Sequence, residues 1–94
     1  MKKAIMMDQK DNVGTALESF GQGEKVEIVS LTKEVLRQVT VNEAIALGHK
    51  LALENIQKGA SVIKYGEIIG RATKDILAAE YVHIHNVESV YDRF

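Results

Sequence analysis

The sequence predicts a small, mainly β domain with one or two short helical turns. Apolar and polar residues alternate in several short stretches, as in strands that bury one face. Polar or glycine-containing segments separate these stretches at intervals of about ten residues, which corresponds to roughly six to eight strands. The 94-residue chain has seven glycines and no proline, so glycine must form most of the turns. We expect a single domain, residues 1–94.

The first half of the chain contains three of the predicted strands, at residues 2–7, 13–17 and 25–29. A polar turn precedes the second of them and ends in Asp11 and Asn12. These two side chains directly precede a strand, where they either contact a ligand or only form the turn.

Residues 32–41 are ambiguous, and we interpret them as a strand followed by a short helical turn with Asn42 as its N-cap. Residues 44–53 are apolar except for an abrupt interruption at Gly48-His49-Lys50. Two basic residues in an apolar surround are typical of an anion site. They are equally typical of a surface loop between two core segments.

Two further strands, residues 60–66 and 67–72, are predicted to form a tight β arch. Its two glycines, Gly66 and Gly70, do not resemble a phosphate-binding loop because no capped helix follows them. Residues 73–80 then form a short helical turn or a loop.

The most distinctive motif is Tyr81-Val82-His83-Ile84-His85-Asn86. Its alternation predicts a strand with Val82 and Ile84 on one face and both histidines on the other. Residues on the same face of a strand lie roughly 6 to 7 Å apart, so the two imidazoles could share a metal ion or an anionic ligand. The alternative is a half-buried strand whose polar face is only solvated.

Composition excludes several classes of function. A net charge of -1 gives no electrostatic reason to expect nucleic acid or an anionic membrane as partner. The absence of cysteine leaves only nitrogen and oxygen ligands for a metal. The N-terminal apolar run, residues 4–7, is too short for a signal peptide, so we expect a cytoplasmic protein.

Four motifs together resemble a known family. They are Asp11-Asn12-Val13-Gly14, Gly48-His49-Lys50-Leu51-Ala52-Leu53, residues 62–72 and residues 80–86. In this order they are similar to the N-terminal SAF module of altronate and galactarate dehydratases, and to the small subunit of related two-subunit enzymes such as sulfolactate sulfo-lyase. The resemblance implies a SAF-type β-clip fold for nearly the whole chain.

The sequence departs from the family pattern in three respects. Ala79 stands where the family usually has glycine, and Gly14-Thr15 replaces a more typical Ala-Val pair. The family's dehydratases carry a catalytic portion of several hundred residues after this module, whereas this sequence ends at Phe94. We therefore expect either a module or a separate small subunit.

The resemblance implies β-elimination on a hydroxy acid, with loss of water or sulfite and formation of a 2-keto acid. It implies a lyase component that is inactive without a large catalytic subunit or domain, and homo-oligomers remain an option. A divalent metal, Fe²⁺ or Mn²⁺, is expected, with His83 and His85 as its ligands. The implied catalytic residues are His49, His83 and His85, and the implied residues for binding the sugar acid are Asp11, Asn12, Lys50, Lys64, Tyr65 and Asn86. Two alternatives are a sugar-acid-binding module without catalysis and an assembly module that pairs through a strand edge.

Overall fold

A computed structural model describes residues 1–90 of the chain as nine β-strands in two sheets, which confirms the mainly β prediction. The strands are β1 (Lys2–Ile5), β2 (Val13–Ala16), β3 (Lys25–Val29), β4 (Val35–Thr40), β5 (Lys50–Ala52), β6 (Ser61–Lys64), β7 (Glu67–Ala72), β8 (Tyr81–Val82) and β9 (Val87–Ser89). Residues 25–29 and 67–72 form strands with the predicted bounds.

The larger sheet has six strands in the order β4-β3-β1-β2-β5-β8. Its β1 and β3 are parallel, and its other neighbours are antiparallel. The smaller sheet has the antiparallel order β6-β7-β9. Pairing of β5 with β8 sets Lys50 opposite Val82 and Leu51 opposite Tyr81, so the Gly-His-Lys segment adjoins the histidine motif.

Two apolar clusters form the core of the described residues, and strands β2 and β5 contribute side chains to both. The first follows from alternation in β3, where Val26 and Ile28 are fully buried and Lys25 is exposed. The second joins the large sheet to the small one through residues such as Val13, Val62 and Val82. Complete burial of each such aliphatic side chain contributes about 1.5–3 kcal/mol to stability.

Four turns of the same construction connect the strands. We number them turn 1 (residues 21–24), turn 2 (46–49), turn 3 (57–60) and turn 4 (77–80). In each, the N–H of the fourth residue donates to the carbonyl of the first, at 2.9 to 3.1 Å. The residue before each turn is a buried apolar residue that pairs with its counterpart in another turn, Phe20 with Ile45 and Ile56 with Ile76.

The third residue of every turn has a positive φ, between 70° and 87°. Turns 1 to 3 have glycine at this position, the residue that adopts a positive φ without steric cost. Turn 4 has Ala79, with φ of 70°. Hence the departure from the family pattern leaves the turn in the same conformation, and the Cβ of Ala79 bears the strain.

The turns exchange backbone hydrogen bonds in pairs. Turn 2 bonds both ways with Ala16, since Gly48 donates to the Ala16 carbonyl and the Ala16 N–H donates to His49, each at 2.8 Å. Turn 4 bonds in the same way with Ala52, at 2.8 and 2.9 Å. Equivalent bonds join turn 1 to Val41 and turn 3 to Ala72. Each turn is therefore fixed by main-chain atoms. In turns 1 and 4 the side chain of the fourth residue adds a further bond, because Glu24 accepts the N–H of Gly21 at 2.7 Å and Glu80 accepts that of Leu77 at 2.6 Å.

The helical turn predicted after residue 41 is wrong, and of the two options for residues 73–80 the loop is confirmed. Neither residues 42–43 nor residues 73–80 form a helical turn, and residues 1–90 contain no helix. The pairing of Ile45 with Phe20, and of Ile76 with Ile56, holds both segments extended where a helix would need local bonds. It follows that this part of the chain offers no helix capable of crossing a membrane.

The histidine motif is also not a continuous strand. The structure ends β8 at Val82, and residues 83–86 turn back toward β9. Val82 is buried but Ile84 is 81% exposed, so the two do not share a buried face. After this turn residues 87–89 form β9, and residues 91–94 lie outside the described residues.

Candidate functional site

Asn86 explains why the histidine motif turns. Its side-chain oxygen accepts the N–H of His83 at 2.9 Å, and its side-chain amide donates to the carbonyl of Tyr81 at 2.8 Å. The N–H groups of Asn86 and Val87 both donate to the carbonyl of His83. A buried asparagine that satisfies the backbone in this way competes successfully with the strand ladder. Both polar groups of the Asn86 side chain are therefore bonded to the backbone of the motif.

The three histidines nevertheless lie together, because each contacts the ring of Tyr81. The Tyr81 ring stacks on His83 with centroids 5.5 Å apart and an interplanar angle of 9°. It contacts His85 at 5.4 Å and His49 at 5.5 Å, both in tilted geometry. The rings of His49 and His83 are 5.2 Å apart. We call these four residues the imidazole cluster.

Tyr81 holds the centre of the imidazole cluster, and we did not select it from the sequence. Its hydroxyl lies 2.6 Å from Nδ1 of His49, which is the fourth residue of turn 2. The available signal was its spacing, since Tyr81 precedes His83 by two residues, in register with the histidines. The spacing does not predict the contact of Tyr81 with His49, because the pairing of β5 with β8 brings these two residues together.

A cavity of about 360 Å³ opens beside the imidazole cluster. Its polar wall carries Lys50, Lys64 and His83, and no acidic side chain within residues 1–90 lines it. The other lining residues are Val62, Ile69, Val82, Ile84, Val87 and Ser89. Burial, and secondarily the charge of Lys64, lowers the pKa of the Lys50 amine below its usual 10.5. This wall therefore lacks a negative charge, and an anion would complement it.

Tyr65 lies at the tip of the hairpin between β6 and β7. It and Gly66 both have positive φ, at 58° and 70°, as the two central residues of a tight hairpin turn require. Tyr65 is 60% exposed, and the Nζ of Lys64 lies 5.8 Å from the centre of its ring. The structure thus places Tyr65 next to Lys64 but outside the residues that line the cavity.

Asp11 and Asn12 hold the same hairpin. Asp11 is buried, and its carboxylate accepts the N–H of Gly66 at 2.8 Å and that of Asp8 at 3.1 Å. The side chain of Asn12 bonds the backbone of β6, accepting from Ile63 and donating to Ser61. Both side chains are occupied by backbone groups. They position β6, and with it Lys64, without lining the cavity.

The described residues do not suit the metal expected from the resemblance. Within residues 1–90, no group of three histidine or acidic side chains is arranged to hold a metal ion. His83 and His85 would supply two ligands, whereas protein metal sites usually use three or more. A metal at these residues would therefore need ligands from outside the described chain.

These features define a small β module that presents a cationic cavity beside clustered imidazoles. The chain belongs to the altronate/galactarate dehydratase SAF domain family, whose model matches residues 2–90. The resemblance seen in the sequence is thereby confirmed.

Characterised relatives fall into two groups. The chain is 44% identical over 85 residues to altronate dehydratase of Escherichia coli (strain K12), covering 90% of this chain and 16% of that protein. It is 36% identical over 89 residues to altronate dehydratase of Bacillus subtilis (strain 168), covering 95% of this chain and 17% of that protein. The alpha subunit of (2R)-sulfolactate sulfo-lyase from Chromohalobacter salexigens is 34% identical over 86 residues, which cover 90% of this chain and 92% of that subunit. The chain thus spans about a sixth of the altronate dehydratases and nearly all of the sulfo-lyase subunit.

Proposed function

We propose that this chain is the SAF component of a hydroxy-acid lyase, and that its cavity binds an anionic group of the substrate. The observation that carries the proposal is the wall formed by Lys50, Lys64 and His83. Two ammonium groups without a carboxylate beside them attract a carboxylate or sulfonate by charge and hydrogen bonding. The relatives named above act on acids of this kind.

The proposed reaction is a β-elimination. A base removes the proton from C2, the electrons of that bond form the C2–C3 double bond, and hydroxide leaves C3 with a proton from an acid, as water. The resulting enol rearranges to the 2-keto acid. Imidazoles suit both proton transfers, since the ordinary pKa of histidine, about 6.5, is close to neutral pH. In this scheme the imidazole cluster stands beside the bound acid through His83, which belongs to both the cluster and the cavity wall.

A larger catalytic unit completes the proposed enzyme. In the altronate dehydratases the matched region is about a sixth of a longer chain, and the sulfo-lyase relative is designated a subunit. We propose that this unit supplies the remaining catalytic groups and any ligands of Fe²⁺ or Mn²⁺, and that the assembly works in the cytoplasm. Sulfite elimination is the second candidate reaction, favoured by the match to 92% of a sulfo-lyase subunit.

The binding step can be tested on the chain itself. Galactarate and sulfolactate should shift the NMR signals of Lys50, Lys64 and His83, and Lys50→Met or Lys64→Met should weaken binding. Lys25→Met is the matched control, because Lys25 is exposed on β3, away from the cavity. Equal weakening by all three variants would show only a general charge effect and would contradict a specific site.

The reaction is tested by mixing the chain with the larger dehydratase-like unit and measuring 2-keto acid from altronate, galactarate and sulfolactate, with and without Fe²⁺ or Mn²⁺. Release of sulfite identifies the second candidate reaction. We expect His83→Ala/His85→Ala to abolish turnover while the chain stays folded. If the chain adds nothing to the rate of the larger unit, it is a binding or assembly module and the proposed function is wrong.

A further inference from the structure

The bond between Tyr81 and His49 specifies how His49 meets a ligand. We propose that Tyr81 is a positioning residue that keeps the proton of neutral His49 on Nε2, so that His49 approaches the substrate as a hydrogen-bond donor. The inference rests on the proposed function, which places an acid beside the imidazole cluster. It assigns a role to a tyrosine that sits at the centre of that cluster.

The direction of the bond follows from the two groups. A neutral imidazole has one N–H donor and one acceptor nitrogen, and a phenol can take either part. The ring nitrogen is a better acceptor than the phenol oxygen, and the phenol O–H is the better-matched donor. Moreover, His49 Nδ1 is the side-chain hydrogen-bond partner of the Tyr81 hydroxyl within residues 1–90. If His49 donated instead, the hydroxyl proton would lack an acceptor in this part of the chain.

Tyr81 is held firmly enough to orient a neighbour. Its N–H donates to the carboxylate of Glu43 at 3.2 Å, and its carbonyl accepts the side-chain amide of Asn86 at 2.8 Å. Its ring stacks on His83. The phenol is therefore fixed before any ligand arrives, and so is the ring of His49 that it contacts. Such preorganisation removes an entropic cost from ligand binding.

The backbone holds His49 from the other side. As the fourth residue of turn 2, it bonds to Ala46 at 3.0 Å and to Ala16 at 2.8 Å. With Nδ1 engaged by Tyr81, Nε2 is the ring nitrogen that the contacts within residues 1–90 leave for a ligand. The proton on Nε2 then decides whether His49 donates to an oxygen of the substrate or accepts from it.

The first experiment measures the tautomer directly. In ¹⁵N-labelled chain at about pH 8, where an ordinary histidine is neutral, long-range ¹H–¹⁵N correlation distinguishes the two ring nitrogens of His49. We expect Nδ1 to have the shift of an unprotonated acceptor and Nε2 that of an N–H nitrogen. In Tyr81→Phe the Nδ1 shift of His49 should move, because the hydrogen bond is lost. The signals of His85 should stay in place, because its contact with Tyr81 is to the ring, which phenylalanine retains. A proton on Nδ1 in the unsubstituted chain overturns the inference.

The second experiment asks whether Tyr81 acts through His49. In the assembled lyase, Tyr81→Phe should lower kcat/KM about tenfold, less than the roughly 10²–10⁴-fold contributed by an acid–base group itself, because the imidazole of His49 is still present. In a His49→Ala background the same substitution should have no further effect, because coupled residues are not additive. Equal losses in both backgrounds would refute the positioning role while leaving the proposed function intact. If the unsubstituted assembly converts none of the acids, the proposed function fails, and the tautomer measurement still decides the inference.

Discussion

Replacing Asn86 by alanine should destabilise the fold, and this prediction separates a structural role from a substrate-binding one. Asn86 is 4% exposed, and it makes one hydrogen bond to His83 and one to Tyr81. Each bond contributes about 1 kcal/mol net, and a buried backbone group left without a partner costs about 1–3 kcal/mol. We therefore expect Asn86→Ala to lose about 2–4 kcal/mol of the free energy of unfolding.

The Asn86→Asp variant sharpens the test because it keeps one bond and breaks the other. The introduced carboxylate can still accept from His83 but faces the carbonyl oxygen of Tyr81, where an amide donated before. A buried charge next to an oxygen raises the pKa of the new carboxyl. The folded variant is therefore most stable at a pH below the pKa that this carboxyl has in the unfolded chain. Stability is lost as the pH rises through the higher pKa that the carboxyl has in the folded chain. The variant should therefore recover stability relative to the unsubstituted chain as the pH falls below neutral.

Urea unfolding followed by far-UV circular dichroism measures both variants, since the chain has no tryptophan to report by fluorescence. Asn55→Ala is the matched control: this exposed asparagine makes one bond, to the N–H of Ala78, and should cost about 1 kcal/mol or less. Unchanged stability of Asn86→Ala together with a loss of substrate binding would refute the structural reasoning. It would instead support the ligand role expected from the sequence.

Three other predictions follow from the turns, the core and the cavity. Gly59→Ala should cost about 1 kcal/mol, because φ is +87° and the new Cβ would meet nothing within 4 Å, leaving backbone strain as the whole effect; Gly21→Ala, without a positive φ, should be near neutral in the same urea assay. Ile45→Ala should cost about 2–5 kcal/mol by leaving a cavity between turns 1 and 2, and a loss below 1 kcal/mol would contradict its place in the core. Lys50→Met should stabilise the chain at neutral pH, since burial disfavours the ammonium. That gain should shrink as the pH rises from the lowered pKa of Lys50 toward the unfolded 10.5, so a gain independent of pH would exclude this cause.

The sequence predicted the strands well because alternation is a local property. Val26 and Ile28 alternate with charged residues in β3, and no distant contact is needed to identify their face. The same reasoning failed for residues 83–86, where the side chain of Asn86 captures backbone groups and ends the ladder. It also failed for the expected helical turns, since partners such as Phe20 and Ile56 lie far away in sequence.

The candidate site was harder to predict than the fold. The motifs led us to His49, Lys50 and the two C-terminal histidines, but neither the cavity nor the role of Tyr81 follows from spacing. Lys64 reaches the cavity because Asp11 and Asn12 clamp the hairpin, a contact between residues about fifty positions apart. Long-range pairing of this kind leaves no signal in a single sequence.

The four-turn construction has an implication for protein engineering. Main-chain atoms secure every turn. In turns 1 and 4 the fourth residue adds a side-chain bond, since Glu24 and Glu80 accept the N–H of the first residue of their own turns. Turn 3 has Ala60 at this position, whose methyl side chain makes no such bond and can be replaced without loss of a turn contact. The fourth residues of turns 1 to 4 are Glu24, His49, Ala60 and Glu80. Ala60 is exposed and sits in the same backbone setting as His49, so a designer could install new chemistry there and leave the original site untouched.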